Sequence, residues 1–112
     1  MIVSNEKVIA GAVTGASVTA DVSLVDAKDF AFFVKYSGAT FAGSIKLQYS
    51  MNGLDWDDLP DSERPIATGG SGLWSADVNG ATYRTVRLVC TSTSGAITFE
   101  GWVVLKRVSK LG

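Results

Sequence analysis

The sequence predicts an all-β domain, a jelly roll or β-sandwich of about eight mainly antiparallel strands. Three features predict it. Short runs rich in Val, Thr, Ile, Phe and Tyr are separated by Gly, Ser, Asn and Asp, which is the spacing of strands and turns. Within the runs, apolar and polar residues alternate, as half-buried strands require. No window carries the i, i+3, i+4, i+7 stripe of an amphipathic helix.

The first strand is expected over residues 7–13, ending at Gly15, with residues 1–7 left outside it as an arm. The second covers 18–25, where Val18, Ala20, Val22 and Leu24 alternate with Thr19, Asp21 and Ser23. A polar turn at 26–29 leads to a third strand, 30–36, with Phe30, Phe32, Val34 and Tyr36 on one face and Phe33 and Lys35 on the other. Residues 37–43 read as a Gly-rich loop. The fourth strand, 44–51, sets Ile45, Leu47, Tyr49 and Met51 against Lys46, Gln48 and Ser50. Asn52-Gly53 then predicts a type I′ hairpin, because both residues tolerate positive φ. Residues 54–59 return antiparallel and pack Trp56 into the base of the sandwich. A loop over 60–72, a short strand over 73–78 and a second turn at Asn79-Gly80 follow. The last strands, 82–91 and 96–107, are joined by a tight hairpin at 92–95. Val86, Leu88 and Cys90 share a face on the first of them. Ile97, Phe99, Gly101, Val103 and Leu105 share one on the second, with Trp102 pointing the other way.

The chain of 112 residues suits one domain, 1–112. With 46% hydrophobic and 19% charged residues it has a globular composition and enough apolar side chains for a core. A net charge of −1 gives none of the basic excess of a nucleic-acid binder. Asp55, Asp57, Asp58, Asp61 and Glu63 crowd one stretch, while Arg84, Arg87, Lys106, Arg107 and Lys110 lie in the last third. Such poles suit head-to-tail contact with a copy or partner, or are plain solvated charge. The single cysteine, Cys90, lies in an apolar run and reads as a buried structural thiol. No apolar run reaches the ~20 residues of a membrane helix. Residues 8–20 imitate a signal peptide, but Glu6, Gly11 and Gly15 favour a strand and turn.

The sequence has no histidine. That removes the usual general base near neutral pH and the commonest transition-metal ligand, so zinc sites and nucleophilic triads lack parts. Gly69-Gly70-Ser71-Gly72 lacks the lysine of a phosphate loop. The acidic stretch 55–63 is the one chemical constellation. Paired catalytic carboxylates would need a cleft and a fixed separation. Calcium would be a better use of it, but the stretch lacks the spacing of an EF-hand loop. The expectation is therefore a binding protein with no enzymatic activity, no cofactor and no metal. Phe33, Trp74 and Trp102 cannot all point inward if the alternation holds. They are the expected partner-binding residues, as an interface or a sugar platform, unless the chain covers them itself.

Two segments carry a family resemblance. One is Ser44-Ile45-Lys46-Leu47-Gln48-Tyr49-Ser50-Met51-Asn52-Gly53-Leu54-Asp55-Trp56-Asp57-Asp58-Leu59. The other is Tyr83-Arg84-Thr85-Val86-Arg87-Leu88-Val89, followed by Ser94-Gly95 and the closing strand. Together they resemble the discoidin-like jelly roll. The chain is similar to small virion proteins of tailed bacteriophages, above all the capsid decoration or staple proteins of short-tailed phages. The resemblance spans roughly the last two-thirds of the chain. It implies a structural virion protein made in the host cytoplasm and located on the capsid surface. It would bind the major capsid protein from outside, as a homodimer that bridges neighbouring capsid subunits, with no nucleic-acid or membrane partner. No catalytic residue transfers. Discoidin-like sugar or lipid binders carry aromatic or apolar loop tips, whereas the turn tips here are Asn-Gly and Ser-Gly. The alternative is a carbohydrate-binding module that stacks sugar on Trp74 or Trp102, or another phage tail component.

Overall fold

A computed structural model describes residues 2–24, 27–78 and 84–107. The turn expected at Asn79-Gly80, and Tyr83 of the second motif, lie outside the described residues. The strands are β1 (Ile2–Thr14), β2 (Ser17–Ser23), β3 (Ala27–Ser50), β4 (Asp57–Asp58), β5 (Arg64–Val78), β6 (Thr85–Ser94) and β7 (Ala96–Arg107). They pair in the order β1-β7-β3-β6-β2, and β4 and β5 add to β3. Each of these pairings is antiparallel.

The long strand β3 organises the rest. Its 24 residues would measure about 79 Å if straight, at about 3.3 Å per residue. The longest dimension of the molecule is 53 Å, so β3 must bend. Its register slips against β5 between Gly38 and Phe41, and against β6 between Ala42 and Gly43. Residues before the bend pair with β7, and residues after it pair with β6. Strand β5 follows β3 round the corner and pairs with both arms. One layer therefore holds β1, β7, the first arm of β3 and the end of β5. The other holds β2, β6, the second arm of β3, β4 and the start of β5. This is the expected all-β sandwich of the jelly-roll kind. Counting the two arms of β3 separately gives eight strands among the described residues.

The core lies between the layers, filled by the faces that the alternation predicts. Phe30, Phe32, Val34, Ile97, Phe99, Val103 and Leu105 come from the first layer. Val22, Leu24, Ile45, Leu47, Val86, Leu88 and Cys90 come from the second. The layers touch at Gly101, where an added Cβ would sit 3.1 Å from Leu88 Cδ2. Burial pushes the Cys90 thiol up from 9.0 to about 12, because an apolar surround disfavours the thiolate.

Several local expectations are corrected. Ile2 to Lys7, assigned to an arm, pair residue by residue with β7. The loops expected at 37–43 and 60–72 are largely strand. Pro65 is tolerated because β5 is an edge strand whose one partner is β3, and Gly70 supplies a φ of 98° beside the bend. Residues 92–95 form no hairpin, because the two arms of β3 hold β6 and β7 in different layers. The Asn52-Gly53 turn is not type I′. Gly53 has a φ of 80°, but Asp61 is the one non-glycine with positive φ among the described residues. Asn52 works through its side chain instead, Oδ1 accepting from the N–H groups of Leu54 at 2.8 Å and Asp55 at 2.9 Å. The return strand β4 is two residues long. Alternation also slips at the end of β3, where Ser50 is buried beneath this loop and Met51 is exposed.

The chain corners stack against one another. A Cβ on Gly43 would strike the Thr91 carbonyl oxygen, and one on Gly95 would strike the Thr40 carbonyl oxygen. A Cβ on Gly38 would come within 2.6 Å of the Ala96 carbonyl oxygen. The buried Ser92 ties this corner to the β1–β2 turn. Its hydroxyl accepts from Gly15 N at 3.3 Å and donates to Gly95 O at 2.6 Å, while its N–H donates to Ala16 O at 2.8 Å.

Two predictions follow from this packing. Gly95 and Gly53 both have positive φ, 72° and 80°, but only Gly95 has backbone where a Cβ would go. Gly53→Ala should cost about 1–2 kcal/mol, the left-handed penalty alone. Gly95→Ala should exceed about 3 kcal/mol once the steric contact is added; urea titrations of both variants check the order. The second prediction concerns pH. Above pH 9 the unfolded thiol ionises while the folded one stays protonated up to about 12, so stability falls as pH rises through that window. Wild type should lose up to about 1.4 kcal/mol per pH unit there relative to Cys90→Ala, read as the difference between their denaturation midpoints.

Candidate functional site

The outer face of the first layer carries a pair of aromatic side chains, Phe33 and Trp102. Register places Lys7 opposite Trp102, Trp102 opposite Phe33 and Phe33 opposite Ser75, in one row across β1, β7, β3 and β5. Phe33 and Trp102 are half-buried and stacked, with centroids 4.8 Å apart and planes 14° from parallel. That separation matches the spacing of neighbouring strands. The rings overlap face to face, so they stand on the sheet instead of lying on it. Lys7 Nζ lies 5.5 Å from the Trp102 ring centroid and 3.9 Å from Glu100 Oε2. Trp102 is thus held between a ring and a cation. Beside the row, Lys35, Ser37, Leu73, Thr98 and Glu100 border a shallow groove of about 550 Å³. Leu73 is 62% exposed there.

Of the three predicted partner-binding residues, two come together and one does not. Trp74 is 3% exposed. Its pairing with Val34 fixes it on the inner face, so it belongs to the core and not to the surface. Strand β5 is longer than the short strand expected, and its register, invisible in the sequence, sets the parity. Trp56 departs in the opposite sense. It was expected in the core, but it lies half-buried on the outside of the second layer with the Arg87 guanidinium 3.8 Å from its ring centroid. Arg87 also binds Asp21, Nε to Oδ1, at 2.7 Å.

The acidic stretch is divided among local partners. Asp55 Oδ2 accepts from Asn52 Nδ2 at 2.8 Å, and Asp57 Oδ1 accepts from the Asp58 N–H at 2.9 Å. Asp58 accepts from Gln48 at 3.0 Å and pairs with Lys46 at 3.2 Å. These contacts, the Gln48 hydrogen bond first and then Lys46, hold its carboxyl below the usual carboxylate value. No cluster of three or more potential metal ligands occurs among the described residues. What the sequence did not signal is the loop beside these carboxylates. Met51 is 60% exposed and Leu54 82%, so the Asn-Gly turn carries an apolar tip.

No sequence-family model and no curated protein sequence matches the chain. Solved structures match its fold. The SPBc2 prophage-derived protein YomS is 18% identical with a TM-score of 0.56, over 93% of this chain and 96% of its own. The PBSX exported protein XepA is 13% identical with a TM-score of 0.68, over 97% of this chain but 39% of its own. The CBM22-1–GH10 modules of a Clostridium thermocellum xylanase, complexed with xylohexaose, are 12% identical with a TM-score of 0.57, over 84% of this chain and 20% of theirs. At such identities the likeness is one of fold.

The stack has a measurable energy. A double-mutant cycle of Phe33→Ala and Trp102→Ala, followed by urea denaturation, should give a coupling of about 0.5–1.5 kcal/mol. A coupling near zero would mean that the rings only lie side by side.

Proposed function

We propose that this chain is a structural virion protein, a capsid decoration or cement protein. It binds the outer surface of the capsid through the major capsid protein and bridges neighbouring capsid subunits, acting as a homodimer. The observation that carries the reading is the Lys7–Trp102–Phe33 row on a broad strand face. Paired aromatic side chains on such a face are characteristic anchors of protein–protein contacts. A two-fold axis over this face would bring two rows together as one self-complementary patch. The sequence offers little for catalysis, with no histidine and a single cysteine that is buried. The likeness to a prophage-derived protein over nearly the whole of both chains is compatible with a role in a phage particle. Many copies on a lattice gain strength by multivalency, so each contact can be modest.

A carbohydrate-binding module is the second reading, favoured by the fold shared with the xylanase modules. Sugar platforms need open ring faces. Here one face of Trp102 meets Phe33 and Lys7 approaches its ring, which weighs toward the protein contact.

Purified protein added to capsids that lack it should sediment with them at micromolar concentration and raise their melting temperature. No association at that concentration overturns the proposal. In light scattering the wild type should be a dimer and Trp102→Ala a monomer. Saturable, Trp102-dependent binding on a glycan array, run with and without calcium, would move the assignment to the second reading.

A further inference from the structure

We infer that the loop between β3 and β4 is the capsid-binding contact, taking an apolar pocket rimmed by Lys or Arg side chains on the capsid protein. This rests on the virion reading above and names the surface that it uses.

The loop presents its two large apolar side chains outward, Met51 at 60% and Leu54 at 82% exposure. Leaving such side chains in water is unfavourable. The loop that carries them is tied down. Ser50 Oγ accepts from Gly53 N at 2.8 Å and donates to Asn52 Oδ1 at 3.2 Å. Asn52 Oδ1 accepts from Leu54 N and Asp55 N, and Asn52 Nδ2 donates to Asp55. A tip ordered before binding loses little freedom on docking.

Charge identifies the occupant. Beside the tip, Tyr49, Met51, Asp55, Trp56 and Asp57 line a recess of about 290 Å³. Asp55 spends one oxygen on Asn52 of the loop, and Asp57 spends one on the Asp58 N–H of β4. The cation that reaches Trp56, Arg87, is already paired with Asp21. A partner cation entering the recess would meet two carboxylates and an aromatic ring, while Met51 and Leu54 enter the adjoining apolar pocket. A lipid surface fits less well, because spikes that insert into anionic bilayers carry a Lys/Arg rim, not an acidic one.

The test uses capsids lacking this chain, with sedimentation as the readout. Met51→Ser/Leu54→Ser should weaken binding about tenfold or more, and Leu54→Met should bind like wild type. Both variants should keep the wild-type unfolding midpoint, since neither side chain is buried. Asp55→Asn/Asp57→Asn should bind more weakly and lose salt dependence. Full binding by the serine variant overturns the inference and leaves the virion reading standing. Salt dependence unchanged in the asparagine variant overturns the basic rim. Failure of the wild type to bind removes both the inference and the reading. Leu54-dependent binding to vesicles of phosphatidylcholine and phosphatidylserine would overturn the inference in favour of a lipid surface.

Discussion

The sandwich depends on one contact, the close approach of backbone to backbone where β3 bends against the corner between β6 and β7. Gly38 and Gly43 on one side and Gly95 on the other leave no room for a side chain at that crossing. Because β3 turns there, one strand serves as the pairing partner of β7 in the first layer and of β6 in the second. The other strands then have little choice. β1 adds outside β7, β2 adds outside β6, and β5 is drawn round the same corner. Phe41 fills the inside of the bend and meets Tyr36 edge-on, with centroids 6.1 Å apart and planes 89° from parallel. Ser92 supplies the polar complement, satisfying backbone groups that two successive crossovers would otherwise leave unpaired.

The same constraint decides what the surface looks like. Alternation runs within each arm of β3 and changes parity at the bend, where the register slips, so each arm has its own outward face. On the first arm that face holds Phe33 and Lys35, which meet Trp102 and Glu100 across β7. On the second it holds Lys46 and Gln48, which meet Asp58 and the Asp21–Arg87 pair. One side of the sandwich carries the Phe33–Trp102 stack, and the other carries the Lys46–Asp58 and Asp21–Arg87 ion pairs with Trp56 over Arg87. Exposed ion pairs of the latter kind add little to stability, and their effect is on which surfaces can approach.

Alternation was legible because it is a property of neighbouring residues. Phe30, Phe32 and Val34, Val86, Leu88 and Cys90, and Ile97, Phe99 and Val103 all fall on the faces that sequence parity assigns them. It also placed Phe33 and Trp102 outside, though not their stacking, which needs the β3–β7 register. What failed was non-local. Glycines at 38 and 43 read as loop residues, yet they lie inside the continuous β3, and Gly95 forms the one-residue corner between β6 and β7 that crosses it. The Ser-Gly turn at 94–95 looks like a hairpin in one dimension, and nothing local says that its two strands belong to different layers. Trp74 was misplaced because the face it takes is set by the pairing of β5 with β3, which puts it opposite Val34. Trp56 was misplaced because Asn52 caps its own loop instead of forming the expected tight turn, which shortens the return strand.

The division of labour between the layers bears on how such a domain could bridge two neighbours. A bridge needs one surface for its twin and another for its target, and the two must not overlap. The aromatic row belongs to the first layer, and the Met51–Leu54 tip extends from the second arm of β3. A dimer formed over the first layer would therefore leave both tips uncovered, each on its own protomer. Strand register holds the row on the outer face, since a one-residue slip would turn Phe33 and Trp102 into the core. Binding at either surface needs no change in the sandwich, because the row stands on paired strands and the tip on a hydrogen-bonded loop. The bend at 38–43 sets the aromatic row and the Met51–Leu54 tip on different arms of β3.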